Sequence, residues 1–200
     1  MSNLADGLDP EKQSKVEGFK QESEGLYGTI ADQVESDEPK FDEYAIQLLK
    51  HHGTYQQDDR DKRRERRKAG LGRDYKMMVR TKTPGGYMTP EGYLVCDDLC
   101  SKYGQEDMRI TSRQGFQFHG VVKGNLRNLI HDLNKLQRIT TQGACGDVVR
   151  NVMCSSVVDI DPAFEKVSTD LRKLSEEISN RTLPQSSSYF DLWLDDEKVE

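Results

Sequence analysis

Residues 109–120 read "RITSRQGFQFHG". Two short alternating stretches flank a polar turn, which is the pattern of two neighbouring strands. In the second, a period of two sends Phe116, Phe118 and Gly120 to one face and Gln117, His119 and Val121 to the other. In the first, Arg109, Thr111 and Arg113 share a face opposite Ile110 and Ser112. With the phenylalanines in a core, the other face carries strong hydrogen-bond donors at a density that an ordinary hairpin does not need.

Working outward, "YKMMVRTKT" at 75–83 is a strand candidate with Arg80 near its end, and "PGGYM" is a loop whose paired glycines allow unusual backbone angles. Thr89 is a good N-cap, with Pro90 at the first helical position and Glu91 in the first turn. That helix runs through Leu94, Val95 and Leu99 to Tyr103 and stops at Gly104. Downstream, Leu126, Leu129, Ile130, Leu133 and Leu136 repeat at helical intervals. The order strand, helix, strand, strand, helix is most of a ferredoxin-like split βαβ unit and makes the fold class α+β.

The flanks are less regular. Residues 1–40 are acidic and weakly periodic and read as an arm, its first 24 residues disordered. Tyr44, Leu48 and Leu49 mark a helix within 41–53 that Gly53 ends. "TYQQDDRDKRRERRKAG" at 54–70 turns from polar to strongly basic. A third region begins near Thr140, with a Gly-rich turn, a helix from Pro162 to about Asn180, and a strand-like "SYFDLWLDD" at 188–196 for which the chain offers no obvious partner. The expected division is an arm with a helix and a basic segment at 1–72, a ferredoxin-like half-domain (βαββα) at 73–138, and the start of a second α+β domain at 139–200.

Hydrophobic residues make up 34% of the chain and charged residues 32%, polar for a compact domain, so part of it is expected over a surface or disordered. No apolar run is long enough for a bilayer, and "MSNLADGLDPEKQSK" has no signal core, so the expected location is the cytoplasm. The cysteines, Cys96, Cys100, Cys145 and Cys154, match no usual zinc spacing and are expected reduced. Within the basic run 60–68, Asp61 and Glu65 stand at favourable spacing to Arg64 and Lys68, and no aromatic residue interrupts it. A solvated helix or a clamp within the protein therefore suits it better than nucleic acid. Arg80, Arg109, Arg113 and Arg150 gathered near one surface would suit an anion, because the planar guanidinium binds oxyanion oxygens in pairs.

Four stretches, "HHGTYQQDDRD", "RTKTPGGYMTPEGYL", "RITSRQGFQFHG" and "GACGDVVRNVMC", occur in this order. Together they resemble the N-terminal half of the siroheme-containing sulfite reductase hemoproteins of the nitrite/sulfite reductase family, from about Gly25 to the end. "YQQDDRD", "TPGG" and "GACGD" are more similar to the sulfite branch than to the nitrite branch. The resemblance implies six-electron reduction of sulfite to sulfide at a siroheme–[4Fe–4S] centre. Arg80 and Arg150 would meet sulfite on the distal face of the siroheme. Thr111, Ser112, Arg113, Gln117 and His119 would contact siroheme or its carboxylates, and Asn151 would line the same pocket; Arg80 and Arg150 also border the cofactor. The family's cluster ligands form a C-x5-C and C-x3-C pair in the second half of a longer chain; Cys96, Cys100 and Cys145 are not those ligands. The segment at 139–200 would then begin a siroheme/iron–sulfur domain completed by the remaining C-terminal half. Its partners would be sulfite and a ferredoxin or NADPH-dependent flavoprotein donor. A siroheme nitrite reductase, or a non-catalytic basic module for nucleic acid or an acidic partner, is the alternative.

Overall fold

The computed structural model describes residues 14–23, 28–136, 138–144 and 148–183, and the backbone of 193–194 and 197–198. In chain order the α-helices and strands begin with α1 (Lys15–Glu22), α2 (Ile30–Glu35) and α3 (Glu43–Leu48). β1 (Thr54–Asp58), α4 (Arg63–Lys68), β2 (Tyr75–Arg80) and α5 (Pro90–Tyr103) follow. Then come β3 (Met108–Ile110), β4 (Phe116–Val121), α6 (Leu126–Asn134) and α7 (Glu165–Arg181).

The first four strands form one antiparallel sheet in the order β1-β2-β4-β3, with β4 inserted between β2 and β3. That insertion is the split βαβ arrangement expected from the order of elements. The fourth position is filled by β1, from the segment expected to be an arm. "TYQQD" lacks apolar alternation, which is why its strand is not visible in the sequence. One sheet face carries Met77, Val79, Phe116 and Phe118 into the core. There they meet Cys96, Leu99, Cys100 and Tyr103 of α5 and Leu126, Leu129, Ile130 and Leu133 of α6. Thr89 caps α5 as expected, its hydroxyl accepting from the Gly92 amide at 3.1 Å. Cys96, Cys100 and Cys154 are free thiols. Burial pushes the Cys96 thiol up to about 12, so it packs as a small apolar group.

Two strand expectations need correction. Val121 was expected beside Gln117 and His119, yet it is fully buried in the core. Val79 pairs with Phe118 but Met77 pairs with Val121, so β4 takes one residue more than β2 over that interval. The extra residue makes a bulge at Gly120, whose φ of 71° is available to glycine without strain. The strand expected through Arg113 ends at Ile110, because Thr111–Gly115 closes a turn. There the Thr111 amide donates to the Gly115 carbonyl at 2.9 Å and Gln114 takes φ 57°.

The acidic N-terminal region is more ordered than expected over its described residues. Ser14 caps α1, and Phe19 stacks on Tyr44 at 4.2 Å between centroids. Lys123, buried, donates to the Gln33 carbonyl at 2.5 Å and to Ser36 Oγ at 2.8 Å, fastening α2 to the body. Residues 1–13 of the arm and Cys145 of the Gly-rich turn lie outside the described residues. At the other end, the backbones of 193–194 and 197–198 pair antiparallel, so residues 193–194 of the strand expected at 188–196 find a local partner, while the rest of that stretch lies outside the described residues.

Substituting Gly120→Ala forces an L side chain into the left-handed region and brings its Cβ to within 2.7 Å of Gln105 Cβ. Urea denaturation should show a loss of about 1–3 kcal/mol, with an unchanged slope.

Candidate functional site

The polar face of the sheet is built by the same alternation that builds the core. Gln117 is the register partner of Arg80 on one side and of Arg109 on the other, so the three side chains lie in a row across β2, β4 and β3. The Gln117 amide has one orientation that suits both neighbours. Its oxygen then accepts from Arg80 Nη2 at 2.7 Å and Nε at 3.1 Å, and its nitrogen donates to His119 Nε2 at 3.3 Å. The Arg80 guanidinium also lies 5.5 Å from the centroid of the Tyr55 ring, supplied by β1.

Burial, then the charges of Arg109 and Arg80, hold His119 below the usual histidine value. A neutral ring accepting at Nε2 from Gln117 agrees with that direction. Arg109 is exposed and reaches Asp107 at 3.6 Å. Among the described residues, no carboxylate forms an ion pair with Arg80. Its charge is held in place by an amide oxygen and a ring without being neutralised. Next to this row a cleft of about 740 Å3 is lined by Gln57, Lys76, Gln105, Arg109 and His119 and by residues 58–63, which bring Asp58, Asp59 and Asp61 to it.

The other candidates gather in a second cluster. Thr111 spends its hydroxyl on the turn, accepting from the Gly115 amide at 3.3 Å. Ser112 is exposed. The exposed Arg113 donates through Nη1 to the Asn151 carbonyl at 3.4 Å. Asn151, only 5% exposed, donates from its side chain to the carbonyls of Arg113 at 2.8 Å and Gln114 at 3.3 Å. Its buried Oδ1 has no partner among the described residues. Arg150 is exposed, and no hydrogen bond or ion pair engages its side chain among those residues. Thus Arg80, Gln117 and His119 share the sheet face, whereas Thr111, Arg113, Arg150 and Asn151 belong to the adjoining loops. Arg109 and Arg113, expected on one strand face, are separated by the turn.

Sequence reasoning missed Tyr55, which sits in an unrecognised strand, and Gln114, which lies within the quoted motif but carries no signal of its own. Lys82 was also missed; it is buried to 1% beyond β2, with its Nζ 3.4 Å from the Val149 carbonyl. On α4 the expected pairing of Asp61 and Glu65 with Arg64 and Lys68 does not occur among the described residues. Instead Asp58 takes Arg63 at 2.5 Å and Asp59 takes Lys62 at 3.1 Å. Arg60, Arg63, Arg64, Arg67 and Lys68 line a separate surface groove of about 610 Å3.

The fold has relatives. Residues 71–136 match the nitrite/sulfite reductase ferredoxin-like half domain. That stretch is a ferredoxin-like half domain of the nitrite/sulfite reductase kind. It is 43% identical over 192 residues to the sulfite reductase [NADPH] hemoprotein beta-component of Oceanobacillus iheyensis, covering 92% of this chain and 31% of that protein. To the sulfite reductase [NADPH] subunit beta of Schizosaccharomyces pombe it is 44% identical over 202 residues, covering 100% of this chain and 13% of the relative. Among solved structures, the Mycobacterium tuberculosis NirA protein shares the fold with a TM-score of 0.62 at 18% identity, covering 86% of this chain and 32% of that one. The chain spans under a third of the length of these two reductases. Among the described residues no helix is long and apolar enough to cross a membrane.

His119 should titrate below the ordinary histidine range in a nuclear magnetic resonance pH series. Its depressed value means that the unfolded chain binds the proton first as pH falls. The stability linked to it is complete above about pH 6.5 and is lost as pH drops through the folded value. His119→Gln should flatten that part of the stability–pH curve, and an unchanged curve would detach the effect from His119.

Proposed function

We propose that this chain is the N-terminal portion of a sulfite reductase, and that it supplies part of the siroheme- and sulfite-binding surface for six-electron reduction of sulfite to sulfide. The observation that carries this reading is the un-neutralised Arg80 guanidinium, fixed by Gln117 and Tyr55 on a sheet face that also presents Arg109 and His119. Cations and amide donors on this face, with Asp107 as the acid that pairs with Arg109, suit a polycarboxylated tetrapyrrole and a small oxyanion, and the aspartates of the neighbouring cleft are partly engaged by Lys62 and Arg63. The donor set therefore fits the cofactor that the family implies.

In this reading Arg80, Gln117 and His119 from the sheet, with Thr111, Ser112 and Arg113 from the turn, hold siroheme and its carboxylates. Arg150 and Arg80 bind sulfite oxygens, with Asn151 behind Arg150. Siroheme and a [4Fe–4S] cluster supply the electron chemistry when bound, the cluster ligands coming from chain beyond residue 200. The residues present here orient the anion and stabilise charge that shifts onto its oxygens as they leave as water. Arginine suits that task because it stays protonated while its fork follows two oxygens at once. Neutral His119 beside two guanidiniums can take part in hydrogen bonds without adding a third positive charge. The electron donor is a ferredoxin or an NADPH-dependent flavoprotein, and the cytoplasm is the compartment that suits such a donor. The division into an arm at 1–72, a half-domain at 73–138 and the start of a siroheme/iron–sulfur domain at 139–200 accompanies this proposal.

In the full-length enzyme, Arg150→Ala should lower sulfite turnover by about 10²–10³-fold while the siroheme absorption spectrum stays intact. Gln117→Leu should instead weaken siroheme retention, read from heme content after gel filtration. Turnover of Arg150→Ala equal to the parent would remove that residue from the substrate role. Faster turnover on nitrite than on sulfite would move the protein to the nitrite-reducing branch.

A further inference from the structure

We infer that Gln114 is a positioning residue that sets the location of Arg150. This rests on the reading that Arg150 binds the substrate oxyanion.

The side-chain amide of Gln114 meets the main chain of Cys154 twice: Nε2 donates to the Cys154 carbonyl at 2.7 Å, and Oε1 accepts from the Cys154 amide at 3.1 Å. A carboxamide can do both at once, which makes the side chain a substitute for one rung of a strand ladder. Asn151 answers in the opposite direction, its amide donating to the carbonyls of Arg113 and Gln114. Two side chains from two separate loops thus each hold the other loop's backbone.

Arg150 sits inside this lacing. On its N-terminal side the Val149 carbonyl faces the buried Lys82 ammonium. On its C-terminal side Asn151 is clamped, and the Val152 carbonyl accepts from the Gly85 amide at 2.8 Å. The backbone on both sides of Arg150 is fixed while its own side chain stays exposed. That is the arrangement expected for a charge that must be presented in one place rather than swept through solvent.

The geometry also explains why the neighbouring loop has two glycines. A Cβ at Gly86 would lie 2.8 Å from Gln114 Cβ, and one at Gly85 would lie 2.6 Å from Ser175 Oγ and 3.3 Å from Cys154 Sγ. Both glycines have positive φ, so the loop passes under the clamp without strain. Three loops, at 84–86, 111–115 and 149–154, therefore meet on the Gln114 side chain.

The test uses the full-length, siroheme-loaded reductase and four variants: Gln114→Gly, Gln114→Glu, Arg150→Ala and the double variant Gln114→Gly/Arg150→Ala. Glycine accepts φ 57° without strain, so Gln114→Gly removes the clamp and keeps the turn; Gln114→Glu keeps the shape and loses the donor to Cys154. Hydrogen exchange of the peptide spanning 150–156 and the sulfite dissociation constant, read from siroheme absorbance without reductant, are both measured. Exchange in Gln114→Gly should rise about tenfold and sulfite binding should weaken about tenfold, with Gln114→Glu in between. The double variant should bind no more weakly than Arg150→Ala alone, because the two changes act on one interaction. Unchanged affinity in Gln114→Gly, or additive losses in the double variant, overturns the positioning role and leaves the substrate reading standing. Unchanged affinity in Arg150→Ala overturns both.

Discussion

Val79 and Phe118 stand opposite each other across β2 and β4, both fully buried against the helices. Strand side chains alternate, so fixing this pair inward fixes Arg80 and Gln117 outward, one step along each strand. Burial of a large apolar pair is worth several kcal/mol, at about 1.5–3 kcal/mol per side chain, and a slip by one residue would forfeit it. The register that protects the core therefore also protects the site. The stability of the helix–sheet packing is spent in part on keeping two arginines and a glutamine in one row.

The bulge at Gly120 lets both demands be met in one short strand. Regular pairing to the end of β4 would direct Val121 to the polar face, among Arg109 and His119. One inserted residue returns Val121 to the core and leaves His119 on the polar side. Burial then keeps that imidazole neutral, which limits repulsion in a row already carrying two guanidiniums.

Much of this was legible in the sequence because it rests on period and punctuation. Phe116 and Phe118, the Thr89 cap, and the leucine repeat of α6 each announce an element through local chemistry, and they locate Arg80, Gln117 and His119. What could not be read depends on partners far apart in the chain. β1 is a strand because β2 offers an edge, although "TYQQD" has little apolar character. Gln114 gains meaning only when the loop at 151–154 is brought to it. The turn at 111–115 shows the limit in another form. Alternation was extended through Arg113, but positive φ at Gln114 and the Thr111–Gly115 bonds stop the strand first.

The pairing of β1 with β2 bears on where this fold can be divided. The segment that matches the ferredoxin-like half domain begins at residue 71, after β1. A polypeptide started there would leave the outer N–H and C=O groups of "YKMMV" open along a strand whose inner face is apolar. Such an edge is a template for pairing with another copy. Residues 54–58 thus cover this apolar strand with a more polar one, and the unit that keeps β2 paired on both sides is longer than the unit that the family match defines.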